Sequence, residues 1–150
     1  MDIESTIKKE HSDLLSSQTL MTPFGHKTHP VIKFDLYLKR RFPDRDKFIN
    51  ENIFEGLYQK LIDKYNNGIR NNNESYFKSL GTLITISIDT LKFYQKEVGI
   101  NGPKHSSIND PVFIIKNNVD FILYNGYHRL FAKIINDEKN IEGFILSIDN

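Results

Sequence analysis

Residues 111–134 read "PVFIIKNNVDFILYNGYHRLFAKI", and the fold turns on how this stretch is divided. Val112 to Ile115 and Val119 to Tyr124 are apolar β segments, and Lys116-Asn117-Asn118 between them has the polar, turn-prone character of a hairpin connection. Asn125-Gly126 then breaks the second strand. From about Tyr127 the apolar residues Leu130, Phe131, Ile134 and Ile135 return at helical spacing, which gives the next element one buried face. The stretch closes with "IEGFILSI", residues 141–148, as a final strand.

Upstream, "TLITISI" (82–88) is β-branched and alternating, as a half-buried strand is. Residues 82–148 thus follow the order strand, short helix, loop, hairpin, helix, strand. This predicts a mixed α+β layout with a small sheet.

The first 80 residues have another character. Ile3, Ile7, His11, Leu14 and Leu15 fit a short amphipathic helix, and "SSQTLMTPFGHKTHP" (16–30) has the composition of a loop. "VIKFDLYLKRRF" (31–42) is compatible with a strand in its first half or a helix in its second. Ile53, Phe54, Leu57, Leu61, Ile62 and Tyr65 mark one face of a helix capped by Asn50 and stopped near Asn67-Gly68. A mainly helical N-terminal region, 1–80, packing on a core at 81–150 is therefore expected, the two forming one compact unit. The polar "NNGIRNNNES" (66–75) is the boundary between them.

Composition excludes several classes. The 150 residues include 11 Phe and 7 Tyr, enough for a real core, while 20 basic and 19 acidic side chains nearly cancel. No bulk charge favours nucleic acid or membrane. The absence of cysteine removes disulfides, thiolate metal sites and a cysteine nucleophile. No apolar run reaches the roughly 18 residues that span a bilayer, and "MDIESTIKKEHSD" lacks the apolar centre of a signal peptide. A cytoplasmic protein without membrane contact is expected.

The junction Asn125-Gly126-Tyr127-His128-Arg129 is where chemistry concentrates. A helix start directs N–H groups outward and favours anions, and a guanidinium adds bidentate recognition of phosphate or carboxylate. Gly126 permits a tight turn and a close backbone approach. The same residues also read as an ordinary turn, with His128 satisfied by a hydrogen bond and Arg129 paired on the surface.

A resemblance favours the first reading. "DPVFIIKNNVDFILYNGYHRLFAKIINDEKNIEGFILSID" resembles the ParB/sulfiredoxin-like superfamily: a Pro-led strand, a hairpin, an Asp-Gly-His-His-Arg-like turn, a helix with a small residue, and a returning strand. Asn125 stands for the frequent Asp, Tyr127 for the frequent His or Glu, and Ala132 matches the small position. "LKFYQKEV" (91–98) is similar to the family's Leu-x-Pro-x-Gln-x-x-Val segment through Leu91, Gln95 and Val98, with Phe93 in place of proline. The resemblance covers about residues 82–149.

It implies a ParB/sulfiredoxin-like sheet with flanking helices, and a turn that holds phosphate of a nucleotide or nucleic acid. Sulfiredoxin chemistry needs a cysteine, so it is excluded. The partitioning proteins carry Arg-rich turns and a downstream helix-turn-helix domain for which this chain leaves no room, so DNA segregation is not expected. What remains is a nuclease acting on DNA or RNA, of the kind found in mobile elements and toxin systems. The alternatives are a nucleotide-dependent small-molecule kinase and a non-catalytic nucleotide- or DNA-binding module whose N-terminal helices take a protein partner.

The resemblance assigns Glu97, His128 and Arg129 as catalytic, with Glu97 as acid/base or magnesium holder. It assigns Asn125, Gly126, Tyr127 and Gln95 to phosphate or nucleotide; Lys104 and His105, in a loop of the kind that closes over a ligand, are read as further phosphate contacts or as solvated loop residues. Mg2+ and ATP, ADP or CTP are the cofactors it allows. Glu97 also reads as an exposed helix carboxylate. Ser106 and Ser107 in "NGPKHSSIND" (101–110) are further donors, and Asp120 is a hairpin residue.

Other features are weaker. Lys39, Arg40, Arg41, Arg45 and Lys47 bunch together, but Asp44 and Asp46 interrupt them, which fits a solvated face. His26 and His29 have metal-like spacing without a third ligand, so no metal site is expected. "DRDKFINENIFE" lacks the glycine and ligand spacing of a calcium loop.

Overall fold

The computed structural model describes residues 3–23, 25–65, 74–100 and 110–148. In chain order the elements are helix α1 (Ile3–Glu10), a 3-10 turn (Ser12–Leu14), strands β1 (Leu15–Thr22) and β2 (Gly25–Lys33), helices α2 (Phe34–Arg41), α3 (Glu51–Tyr65) and α4 (Glu74–Leu80), and strand β3 (Thr82–Ser87). A second 3-10 turn (Ile88–Thr90) follows, then β4 (Leu91–Lys92), β5 (Glu97–Gly99), β6 (Val112–Asn117), β7 (Asp120–Asn125), α5 (Tyr127–Ile135) and β8 (Asn140–Ser147). Two sheets and several helices make a mixed α+β protein. The chain divides into two compact units, residues 1–46 with 95–107, and residues 47–94 with 108–150.

The first unit corrects the expectation of a mainly helical N-terminal region. Its centre is the antiparallel hairpin β1–β2, extended by β5 into a sheet of order β1-β2-β5. The stretch 16–30, expected as a loop, lies almost wholly within these strands. Its turn-forming residues cluster at one point, where Gly25 has φ 112° opposite Thr22. Elsewhere the Ser and Thr residues are compatible with a pleated ladder, and Pro30 lies just past the span that β5 pairs, Val31 to Lys33.

The ambiguous segment 31–42 proves to be both things. β2 ends at Lys33, and α2 begins at Phe34, whose amide donates to the Lys96 carbonyl at 2.7 Å. Phe34, Tyr37 and Leu38, at helical spacing, are the buried face of α2.

The second unit is built on a five-stranded sheet of order β3-β8-β6-β7-β4. β6 is its centre. Val112, Phe113, Ile114 and Ile115 are all buried, as a strand covered on both faces requires. Phe113 and Ile115 join Leu61, Phe77 and Leu146 in one core cluster, against which Phe54 and Tyr58 of α3 also pack. Val112 and Ile114 point the other way, toward Gly126 and Gly143. On that face α5 contributes Tyr127, Leu130, Phe131, Ala132 and Ile134 to the core. Truncating Phe131 to alanine is a change of the kind that costs about 3–5 kcal/mol.

The hairpin, the capped helix and the returning strand are where the residue pattern placed them. β6 and β7 pair antiparallel about Asn118-Val119, β8 runs parallel to β6, and the Asn50 side chain accepts the Ile53 amide at 2.8 Å. The expected stop at Asn67-Gly68 lies outside the described residues. The short helix expected after β3 is instead a 3-10 turn followed by extended chain, with β4 parallel to β7. Leu91 and Phe93 are buried while Lys92 and Tyr94 are half-buried, a period of two that suits a strand.

Candidate functional site

The β7–α5 junction belongs to the second unit. β7 ends at Asn125, opposite Phe113, beside a bulge between Phe113 and Ile114. Gly126 then takes φ 106° and ψ 26° as the N-cap of α5, with no side-chain cap bond. A Cβ there would stand 2.6 Å from Val112 Cγ1 and 2.9 Å from Val112 Cβ, so glycine is required on both conformational and steric grounds. The turn therefore lies flush on the start of β6.

The first turn of α5 sets its three residues in different surroundings. Tyr127 is buried; its hydroxyl donates to the Leu123 carbonyl at 2.9 Å and accepts the Tyr94 amide at 3.1 Å. His128 is exposed. Arg129 is half-buried, donates from Nη1 to the Pro111 carbonyl at 2.6 Å, and holds its guanidinium 5.9 Å from the Phe113 ring centre. One of its five N–H donors thus ties the helix start to the residue ahead of β6. Only His128 of the three presents its side chain mainly to solvent.

Aromatic side chains flank the junction. Tyr94 stacks on Phe54 with ring centres 3.5 Å apart and meets Tyr127 edge-on at 5.6 Å. Tyr124, immediately before Asn125, stacks on Tyr58 and Phe77. Burial raises the Tyr124 phenol well above its ordinary value, with its hydrogen bond to Tyr58 adding to it. Burial, and after it Tyr58, also raises Tyr94. Both stay protonated and neutral across the physiological range.

Glu97 and Gln95 belong to the first unit, and the junction to the second. Glu97 is exposed and opens β5 opposite Lys33, on extended chain and not on the helix expected for it. The Gln95 side-chain amide donates to the Glu97 carbonyl at 2.9 Å. Lys104, His105, Ser106 and Ser107 lie outside the described residues, as do the side chains of His26 and His29. Asp120 is a hairpin residue whose carboxylate meets Lys92 Nζ at 3.1 Å. The structure thus brings together Asn125, Gly126, Tyr127, His128 and Arg129.

The chain matches no protein-family model, no curated protein and no solved structure.

One residue of the expected basic bunch has a different place. Lys47 is 5% exposed, and its ammonium donates to the Asp89 carbonyl at 2.7 Å with the Asp89 carboxylate 3.4 Å away. No local pattern marks it, because its partner is 42 residues distant. Arg40, also of that bunch, is bound by the Asp13 carboxylate, whose pKa the guanidinium lowers.

Proposed function

We propose that this protein is a phosphate-ester-processing enzyme of the ParB-like class, a nuclease acting on DNA or RNA, in which the β7–α5 junction holds the phosphate. The observation that carries the reading is Gly126. Its left-handed backbone and missing Cβ seat the start of a nine-residue helix against the end of the sheet. The first-turn amides of a helix have no intrahelical acceptors, and the helix dipole adds positive potential there. His128 stands exposed at that start, within the same turn as Arg129.

In this reading His128 donates a proton to the leaving oxygen or a hydrogen bond to the phosphoryl group, and the backbone of the first turn orients the ester. Arg129 acts through its remaining donors while its bond to Pro111 fixes its position. Glu97 is assigned the base by resemblance, on β5 of the first unit. Among the described residues no three His, Asp or Glu side chains gather into a metal-binding group.

The test is incubation of the full chain with Mg2+ and single- or double-stranded DNA and RNA, comparing wild type with His128→Ala and Glu97→Gln. Expected is cleavage by wild type that falls about 100-fold or more in His128→Ala, with an unchanged melting temperature. If wild type leaves every nucleic acid intact and a nucleoside triphosphate raises its melting temperature, the nuclease reading is wrong and a kinase or binding module takes its place.

A further inference from the structure

A second concave feature lies at the same end of the five-stranded sheet. It is a cleft of about 310 Å³ lined by Thr85, Asp110, Lys133, Asn140, Ile141 and Glu142. That volume is at the lower end of the range for small-ligand sites.

Its position follows from the register. Asn125 pairs with Phe113 of β6, Phe113 with Phe144 of β8, and Phe144 with Leu83 of β3. One step further along the strands, Val112 pairs with Gly143, and beyond that Thr85 pairs with Glu142. Asp110 precedes Pro111, whose carbonyl holds Arg129, and Lys133 follows Arg129 by one helical turn. The junction at β7 and the cleft at β8 and β3 thus lie on either side of β6, two to three strand spacings or ~10–14 Å apart across the sheet.

The lining limits what the cleft can take. Two carboxylates, from Asp110 and Glu142, disfavour another phosphate there. The Lys133 ammonium, 3.3 Å from Glu138 Oε1, disfavours a cation. Asn140 and Thr85 add an amide and a hydroxyl. Neutral groups that both donate and accept hydrogen bonds suit this mixture, and sugar hydroxyls are such groups. Carboxylates that accept from ribose hydroxyls are a recurrent means of gripping a nucleotide.

We propose that this cleft holds a ribose of a strand whose phosphate, about one nucleotide away, lies on the β7–α5 junction, so that the protein selects RNA over DNA by the 2′-hydroxyl. The proposal rests on the phosphate reading of the junction. It adds a substrate class that the junction alone does not specify, because the 2′-hydroxyl is the group by which a protein tells the two polymers apart at one site.

The experiment measures binding of the full chain, in EDTA, to two single-stranded oligonucleotides of the same sequence, one RNA and one DNA. Wild type should bind the RNA about tenfold more tightly, the scale of one hydrogen bond to a charged acceptor. Asp110→Asn with Glu142→Gln changes only exposed side chains. It should bring the ratio close to one by weakening RNA while leaving DNA and the melting temperature unchanged. Equal affinities in wild type, or a preference that survives the double variant, overturn the ribose proposal alone. Affinities for both polymers that are unmoved by His128→Ala and by millimolar inorganic phosphate overturn the phosphate reading on which it rests. Binding of neither oligonucleotide overturns both.

Discussion

Gly126 and Val112 are in contact so close that no side chain fits between them: a Cβ on Gly126 would lie 2.6 Å from Val112 Cγ1. The contact joins the start of α5 to the start of β6, the central strand of its sheet. It also fixes where His128 emerges.

Gly126→Ala should therefore destabilise the protein by two separate effects. A non-glycine residue at φ 106° costs about 1–2 kcal/mol, and forcing a methyl into a packed contact adds about 1–3 kcal/mol. Urea unfolding should show a loss of about 2–5 kcal/mol. Adding Val112→Ala should recover only the steric part, so a double variant as stable as Val112→Ala alone would contradict the backbone argument.

The buried Lys47 gives a second expectation. Its ammonium donates to the Asp89 carbonyl, the same segment's Lys47 carbonyl accepts the Phe93 amide at 2.7 Å, and the Ile49 amide donates to the Phe93 carbonyl at 2.9 Å. Lys47→Met keeps the volume but leaves the Asp89 carboxylate, 38% exposed, without its cation. Removing one partner of a fully buried pair costs about 3–5 kcal/mol, and partial exposure lowers that here to about 1–3 kcal/mol. Lys47→Met with Asp89→Asn should regain part of it. An unchanged unfolding midpoint in Lys47→Met would mean that the pair contributes nothing net.

What was legible in the sequence depended on how local its cause is. The hairpin, α5 and β8 could be read because Val112 to Ile115 form a continuous apolar run that Lys116-Asn117-Asn118 ends, Asn125-Gly126 breaks the second strand, and Leu130 to Ile135 change the period. The β1–β2 hairpin could not, since Ser16, Ser17, Thr19, Thr28 and Pro30 have loop composition and their strand state comes from pairing with each other. At the junction, Gly126 was legible because a left-handed turn has its own residue preference. The burial of Tyr127 was not, because its hydroxyl is satisfied by Tyr94, 33 residues earlier. Glu97 was misplaced on a helix for a similar reason: β5 exists only through its pairing with β2.

Alkaline stability should report on Tyr124. Burial first, and then Tyr58, raises this phenol in the folded state above the value of about 10 it has when unfolded. The folded protein then holds the proton more tightly than the unfolded chain. The stabilisation is fully present below pH 10 and is lost as pH rises beyond it. Tyr124→Phe should flatten the decline of the unfolding midpoint between about pH 10 and 11.5, and the 295 nm titration should lose one late-titrating phenol. If Tyr124→Phe leaves the alkaline decline as steep as before, the raised phenol is not its cause.

Tyr127→Phe separates packing from chemistry at the junction. The ring stays, against Phe93 and Tyr94, while the hydroxyl that joins the Leu123 carbonyl to the Tyr94 amide is removed. Leaving these buried groups without that partner should cost about 1–3 kcal/mol and speed hydrogen exchange at the Tyr94 amide. The exposed His128 is one residue away on the same helical turn, yet it depends on Gly126 and the helix for its position. Phosphodiester cleavage per folded molecule should therefore remain within about twofold of wild type at temperatures well below unfolding, the change expected of a residue that does not touch substrate. A fall of 100-fold with little loss of stability would place the Tyr127 hydroxyl against the phosphate, the role that the resemblance assigned it.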